Sequence, residues 1–175
     1  MPSQPWTLIK EQSLFKGFRE VVLRRFRLPD GAEADFDIRI DGQAVAVLAF
    51  TPDKQAILVS QFRPGPMQVM LDIPGGALED GEDPLLAAAR ELLEETGYQG
   101  RMEAVGITHE NPYTTLVRHN FVALDCVKVA EQNLDPSERI DVELLSLDQL
   151  RVHLRSGRLC DTETGYRGLD YLGWL

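Results

Sequence analysis

Residues 83–97 constrain the fold more tightly than any other part of the sequence. Asp83 followed by Pro84 is a helix-start signal, and Gly97 is a stop signal, so the spacing predicts a helix over Pro84–Thr96. Leu85, Ala88, Ala89, Leu92 and Thr96 recur at helical intervals and form one apolar stripe, which must pack on a sheet. Glu91 and Glu95, four residues apart, share one face with Cβ atoms ~5–6 Å from each other, and Glu94 borders that face. Three carboxylates so close repel one another. A fold tolerates that repulsion if the face is solvated, or if divalent cations lie between the carboxylates. The anchored stripe leaves the acidic face projecting, which favours the second reading. Hard oxygen ligands of this kind suit Mg²⁺ or Mn²⁺.

The segments around this helix read mostly as strands. Residues 18–28 have strand composition and end in the turn signal Pro29-Asp30-Gly31. Phe36, Ile38 and Ile40 alternate with Asp35, Asp37 and Arg39, the period of a half-buried strand. Asp41-Gly42 reads as a hairpin-type turn. Two continuous apolar runs, 44–50 and 56–61, suit strands covered on both faces. Further strands are expected at 68–73, 101–108, 117–126 and 140–146, followed by a second helix over 147–156 with Ser146 as its cap. The order implies an α/β fold: a mixed sheet between helices, with a small antiparallel sheet at residues 1–42 and the main domain at 43–175.

The 175-residue chain is long enough to bury a core without disulfides or structural metal. Cys126 and Cys160, its two cysteines, suggest reduced thiols rather than a disulfide framework. No targeting segment and no apolar run of ~18 residues is visible, so a cytoplasmic protein with no membrane association is expected. The net charge of −10 argues against nucleic acid as a partner. An acidic chain attracts a polyanionic substrate only through local basic residues or bound cations.

Gly76, Glu82, Arg90, Glu91, Glu94, Glu95 and Gly97 stand at the spacing of the Nudix box, with Leu92 and Tyr98 in its apolar places. The chain therefore resembles the Nudix hydrolases, and the strand order resembles their α/β/α sandwich. The resemblance implies a loop–helix–loop in which Glu91, Glu94, Glu95 and the Gly75 carbonyl bind Mg²⁺, with Mn²⁺ as a possible substitute. Glu94 and Arg90 would take part in catalysis, and Glu82 would support the metal site directly or through water. The implied reaction is hydrolysis of a nucleoside diphosphate linked to another moiety. The N-terminal sheet, the motif Gln61-Phe62-Arg63-Pro64 and the position of Pro112 resemble the ADP-ribose and nucleoside-diphosphate-sugar pyrophosphatases. In that subgroup the extra sheet serves dimerisation, so a homodimer is expected. The alternatives are a housecleaning nucleoside triphosphate pyrophosphatase and a non-catalytic nucleotide-sensing regulator. The base and the sugar stay open.

Glu138 resembles the late acidic residue that serves that subgroup as general base or extra metal ligand, though it also reads as a solvated loop acid. Glu110 and Glu143 are lower-ranked alternatives. Arg63 and Arg118 are the candidates for gripping a diphosphate, because a guanidinium matches phosphate oxygens in pairs; both also read as ordinary surface arginines. Pro112 and Tyr113 are assigned to substrate binding, with Tyr113 able to stack on a base or ribose. His109, His119 and His153 do not cluster in sequence and read as structural. Trp174 is expected to tuck onto the body, whereas Trp6 packs on a partner subunit or on nothing.

Overall fold

The structure, a computed structural model, describes residues 4–175, which divide into two compact units. The first is built on an antiparallel sheet of β1 (Thr7–Lys16), β2 (Glu20–Arg27) and β3 (Glu33–Ile40), in that order. Val22 and Ile38 sit opposite each other in register and are both buried. Cross-strand ion pairs such as Arg25–Asp35, two bonds of 2.7 Å each, reinforce that register at exposed positions where such pairs add little stability. The strand β1 escapes the sequence reading because every one of its residues is exposed. With no buried face it shows no alternation to detect. The segment His109–Val117 belongs to this unit: Arg39 donates its backbone N–H to the Tyr113 carbonyl at 2.9 Å, and Thr115 returns the bond at 3.1 Å. Trp6 packs within the same unit, on the rings of Phe26 and Phe36.

The second unit holds the remaining six strands: β4 (Gln43–Phe50), β5 (Ala56–Arg63), β6 (Gln68–Asp72), β7 (Tyr98–His109), β8 (Val117–Lys128) and β9 (Ile140–Leu145). The sheet order is β6-β5-β4-β8-β7, with β9 paired to β5. Asp41-Gly42 is thus not a hairpin turn: β3 and β4 belong to different sheets, and Asp41 instead accepts bonds from Arg39, Arg19 and the Thr114 hydroxyl.

Strand β4 shows why the apolar runs are continuous. Its alternate residues Val45, Val47 and Ala49 join a core with Ala87, Ala88 and Leu92 of α1 (Pro84–Thr96). The intervening Ala46, Leu48 and Phe50 join Leu150 and Leu154 of α2 (Leu147–Arg155) and Leu169 of α3 (Thr162–Tyr171). Helices therefore cover both faces, giving an α/β/α sandwich with a mixed sheet. Each fully buried large aliphatic side chain contributes roughly 1.5–3 kcal/mol. Trp174 meets Phe50 edge-on at 5.1 Å, closing the second core.

Helix α3 was not expected from the sequence. Gly165 and Gly168 weaken its propensity, and they are there for packing: a Cβ on Gly165 would strike Leu154, and one on Gly168 would strike Leu48. Helix α2 carries the expected Ser146 cap, completed by Gln149 into a capping box.

Helix α1 begins and ends as its signals require. Asp83 accepts from the backbone N–H groups of Leu85 (2.8 Å) and Leu86 (3.3 Å), and Gly97 adopts the left-handed conformation at φ 76°. Its buried stripe differs from the expected one. Leu85 and Ala89 are exposed, and the buried residues are Ala87, Ala88, Leu92, Glu95 and Thr96. Glu95 follows Ala88 by seven residues, two helical turns, so the spacing that buries Ala88 carries Glu95 inward with it. Among the described residues no helix is long and apolar enough to cross a membrane.

Gly97 joins α1 to β7, and a Cβ there would meet the Ala130 carbonyl oxygen as well as the left-handed backbone penalty. Gly97→Ala is expected to lower unfolding free energy by at least about 1–2 kcal/mol. Urea denaturation reads this directly, and an unchanged midpoint would contradict the packing described.

Candidate active site

The loop between β6 and α1 and the C-terminal half of α1 bring the carboxylates together around one cation of the chain itself. Arg90 forks onto Glu82, with Nε to Oε1 at 2.9 Å and Nη2 to Oε2 at 3.0 Å. Its Nη1 donates to Glu91 at 2.8 Å and to Glu94 at 3.1 Å, and its Nη2 reaches the Ala77 carbonyl at 3.3 Å. The three carboxylates raise the pKa of Arg90 and fix its charge, against the cost of its partial burial. In return the Glu82 carboxyl is held below its ordinary range, first by Arg90 and then by the Glu79 backbone N–H.

Glu91 and Glu95 show the opposite shift. Burial pushes Glu91 up in spite of Arg90, and the charges of Glu94 and Glu138 add to it. Glu95 is only 5% exposed, and burial pushes its carboxyl up to about 8. The Gly75 backbone N–H donates to Glu95 Oε2 at 2.9 Å and opposes that rise; the charges of Glu91 and Glu138 reinforce it. The acidic face is therefore not the solvated surface of the first alternative. It is a half-covered cluster with more negative charge than Arg90 balances.

Two glycines make the cluster possible. A Cβ on Gly75 would collide with the backbone of Val45 and Ala46, so the loop runs tight against β4. A Cβ on Gly76 would fall on the carboxylate of Glu91, so this space exists only because residue 76 has no side chain. Among the described residues, no three acidic, His or Cys side chains converge on one point as they stand, since Arg90 draws Glu91 and Glu94 to itself. The donor set still fits a divalent cation: it is all oxygen, it is short of positive charge, and it is cradled where a Cβ is excluded.

Glu138 lies close enough for its charge to act on both Glu91 and Glu95. It accepts from the Asp135 backbone N–H at 3.0 Å. Its loop is tied to the end of α1 by Gln132, whose amide donates to the carbonyls of Glu95 (2.6 Å) and Ile140 (3.0 Å). Glu110 pairs with Arg39 in the N-terminal unit, and Glu143 is exposed on β9. Arg63 donates through Nε to buried Asp72 at 2.6 Å, and its charge reaches Glu95. Arg118 lies 2.9 Å from Asp161, both side chains mostly covered. Neither arginine is an ordinary surface residue. Pro112 and Tyr113 belong to the N-terminal unit, where the Tyr113 ring stacks on Phe36 at 6.4 Å. Two of the histidines make polar contacts within the second unit: His153 with the Leu71 carbonyl and His119 with the Gln43 side chain. Cys126 is buried, which pushes its thiol up to about 11, and Cys160 is exposed; neither is in a disulfide.

Gln132, Asp72 and Asp161 were missed by the sequence reading. Asp72, a carboxylate directly after the apolar Val69-Met70-Leu71, is the one of the three with a local signal from which a buried partner could be read.

The NUDIX domain model matches residues 41–173. The methanol dehydrogenase activator of Bacillus methanolicus is 34% identical over 161 residues, covering 89% of this chain and 86% of that protein. The ADP-ribose pyrophosphatase of Bacillus subtilis (strain 168) is 31% identical over 169 residues, covering 95% of this chain and 91% of that protein. A crystal structure of an ADP compounds hydrolase superposes over the full length of both chains with a TM-score of 0.82 at 18% identity, a likeness of fold.

Glu95 ionises near 4.5 in an unfolded chain and near 8 in the fold, so between those values the folded state holds the extra proton. Stability of the chelator-treated protein is therefore expected to fall as pH rises from about 4.5 towards 8, by up to about 1.4 kcal/mol per unit. Glu95→Gln should flatten that slope. Urea midpoints measured across the window check it, and a constant wild-type midpoint would refute the burial of an ionisable Glu95.

Proposed function

The chain belongs to the NUDIX family, and we propose that it hydrolyses the diphosphate bond of a nucleoside diphosphate joined to a second moiety, with ADP-ribose or an NDP-sugar as substrate. The observation that carries this reading is the intact carboxylate cluster, Glu82, Glu91, Glu94 and Glu95 gathered by Arg90 and by the loop glycines. The near full-length similarity to an ADP-ribose pyrophosphatase supports the substrate class. An unbroken cluster also favours an enzyme over a nucleotide-sensing regulator.

Glu91, Glu94, Glu95 and the Gly75 carbonyl would hold Mg²⁺, or Mn²⁺ in its place. A bound divalent cation supplies Lewis acidity at phosphate oxygens and lowers the pKa of a water. The residues of the chain do the rest. Arg90 fixes the carboxylate rotamers while the site is assembled, and Glu82 fixes Arg90. Glu138 accepts the proton of the water that attacks phosphorus; the P–O bond to the bridging oxygen breaks, and that oxygen leaves on the second phosphate. Arg63 and Arg118 bind the diphosphate oxygens. Tyr113, half exposed beside Pro112 in the N-terminal unit, has a ring face of the kind that stacks on a base or ribose. The free thiols fit a reducing, cytoplasmic setting.

A homodimer belongs to the same reading. Strand β1 is a sheet edge that leaves Leu8, Ile9, Leu14 and Phe15 exposed, an apolar, hydrogen-bonding margin suited to a second copy.

Glu94→Gln and Glu95→Gln are each expected to reduce turnover of ADP-ribose with Mg²⁺ by at least about a hundredfold while leaving the circular dichroism spectrum unchanged. Full activity in either variant sinks the assignment of the metal ligands. Sedimentation at micromolar concentration should give twice the 19.7 kDa chain mass. Leu14→Asp should shift it towards the monomer, and a wild-type monomer contradicts the dimer.

A further inference from the structure

The turn that leads into α3 meets both arginines of the site through two carboxylates. Asp72, fully buried at the end of β6, accepts Arg63 Nε on one oxygen at 2.6 Å and the Cys160 backbone N–H on the other at 2.7 Å. The next residue, Asp161, brings Oδ1 to 2.9 Å from Arg118 Nη2. That oxygen is buried, and the guanidinium lies off line for a hydrogen bond, so Oδ1 has charge opposite it but no aligned donor. Residues 160 and 161 thus address Arg63 and Arg118 in succession.

A neutral contact sets the register that makes this happen. Thr164 donates its hydroxyl to Asn120 Oδ1 at 2.6 Å, and Asn120 donates to the Gly106 carbonyl and the Thr108 hydroxyl at 3.2 Å each. Asn120 and Thr164 are both fully buried. Asn120 lies two residues along β8 from Arg118, and Thr164 three residues from Asp161. One satisfied bond between strand and helix therefore fixes the spacing of the charged pair beside it.

As a device for stability, Asp161 makes little sense. Burial raises its pKa against the pull of Arg118 and Arg63, and a buried charge without aligned donors is a net cost to the fold. As a device for preorganisation it does. A guanidinium has five N–H donors; a carboxylate 2.9 Å from one nitrogen restrains its position by charge and leaves the donors for an incoming anion. Both arginine charges act on Asp161, so the two guanidinium groups lie near one point.

We infer that Asp161 is a positioning residue, which with the Asp72–Arg63 pair holds Arg118 ready to receive a diphosphate group. The inference rests on the diphosphate-hydrolase reading above. The probe is inorganic pyrophosphate, titrated calorimetrically into the full chain with Mg²⁺ present. Asp161→Asn keeps the shape and removes the charge. It is expected to keep the melting temperature within a few degrees and to weaken pyrophosphate binding about tenfold, a loss in the range of directly coupled groups. In an Arg118→Lys background the same substitution should cost almost nothing further, because Asp161 acts through the guanidinium. For ADP-ribose, KM should rise more than kcat falls. If Asp161→Asn does not fold, Asp161→Glu retains the charge, moves the carboxylate by one methylene and is expected to show the same weakening. Unchanged pyrophosphate binding in the folded variant, or an equal loss with and without Arg118, would overturn the inference. So would a wild-type chain that does not bind pyrophosphate. Wild-type turnover of ADP-ribose with Asp161-independent binding defeats this inference alone. Asp161-dependent pyrophosphate binding without turnover of any nucleoside diphosphate derivative defeats the functional reading and leaves the arginine clamp standing.

Discussion

The bond from the Gly75 N–H to the Glu95 carboxylate joins the two parts of the structure on which the rest of the site depends. One part is the loop lying against β4, at a distance only glycine permits. The other is a helix packed through Ala87, Ala88 and Leu92 on the same strand. Because both rest on β4, a buried carboxylate is delivered to the end of the loop without strain in the helix. Glu91 then falls in the space above Gly76, and Glu94 on the outer edge. Arg90 gathers what remains. The geometry is thus a consequence of core packing, with few degrees of freedom left to the acidic side chains.

Charge resolves the problem that an acidic chain poses for an anionic substrate. The net charge of −10 repels a diphosphate at long range. Locally the balance is different. Three carboxylates and the Ala77 carbonyl saturate Arg90, while Arg63 faces buried Asp72, Arg118 faces the mostly covered Asp161, and both retain donors. The carboxylates that burial drives upward, Glu91 and Glu95, are those with most to gain from a cation.

What the sequence made legible follows from how each feature is encoded. Helix α1 was readable to the residue at both ends because Asp83, Pro84 and Gly97 act locally. The two-faced burial of β4 and β5 was readable because continuous apolar runs have one main use in a sheet protein. Strand β1 was not readable, since an edge strand with no buried face carries no periodicity. Nor was α3, whose glycines are chosen for contact with Leu154 and Leu48 rather than for helicity. In the site, the box carboxylates stood out through their spacing. Their inward rotation did not, because treating Glu95 as part of a projecting face set chemistry against packing when the two coincide. Asp161 and Gln132 act on partners 43 and 37 residues away in the chain, Arg118 and Glu95, and no local pattern marks such pairs.

The central claim is that this fold splits a diphosphate between two organic groups. It is tested most directly by phosphorus NMR of the products formed from ADP-ribose with Mg²⁺. The proposed function predicts AMP and ribose 5-phosphate in equal amounts, with no inorganic pyrophosphate. Unchanged ADP-ribose and NDP-sugars, alongside inorganic pyrophosphate released from nucleoside triphosphates, would contradict it.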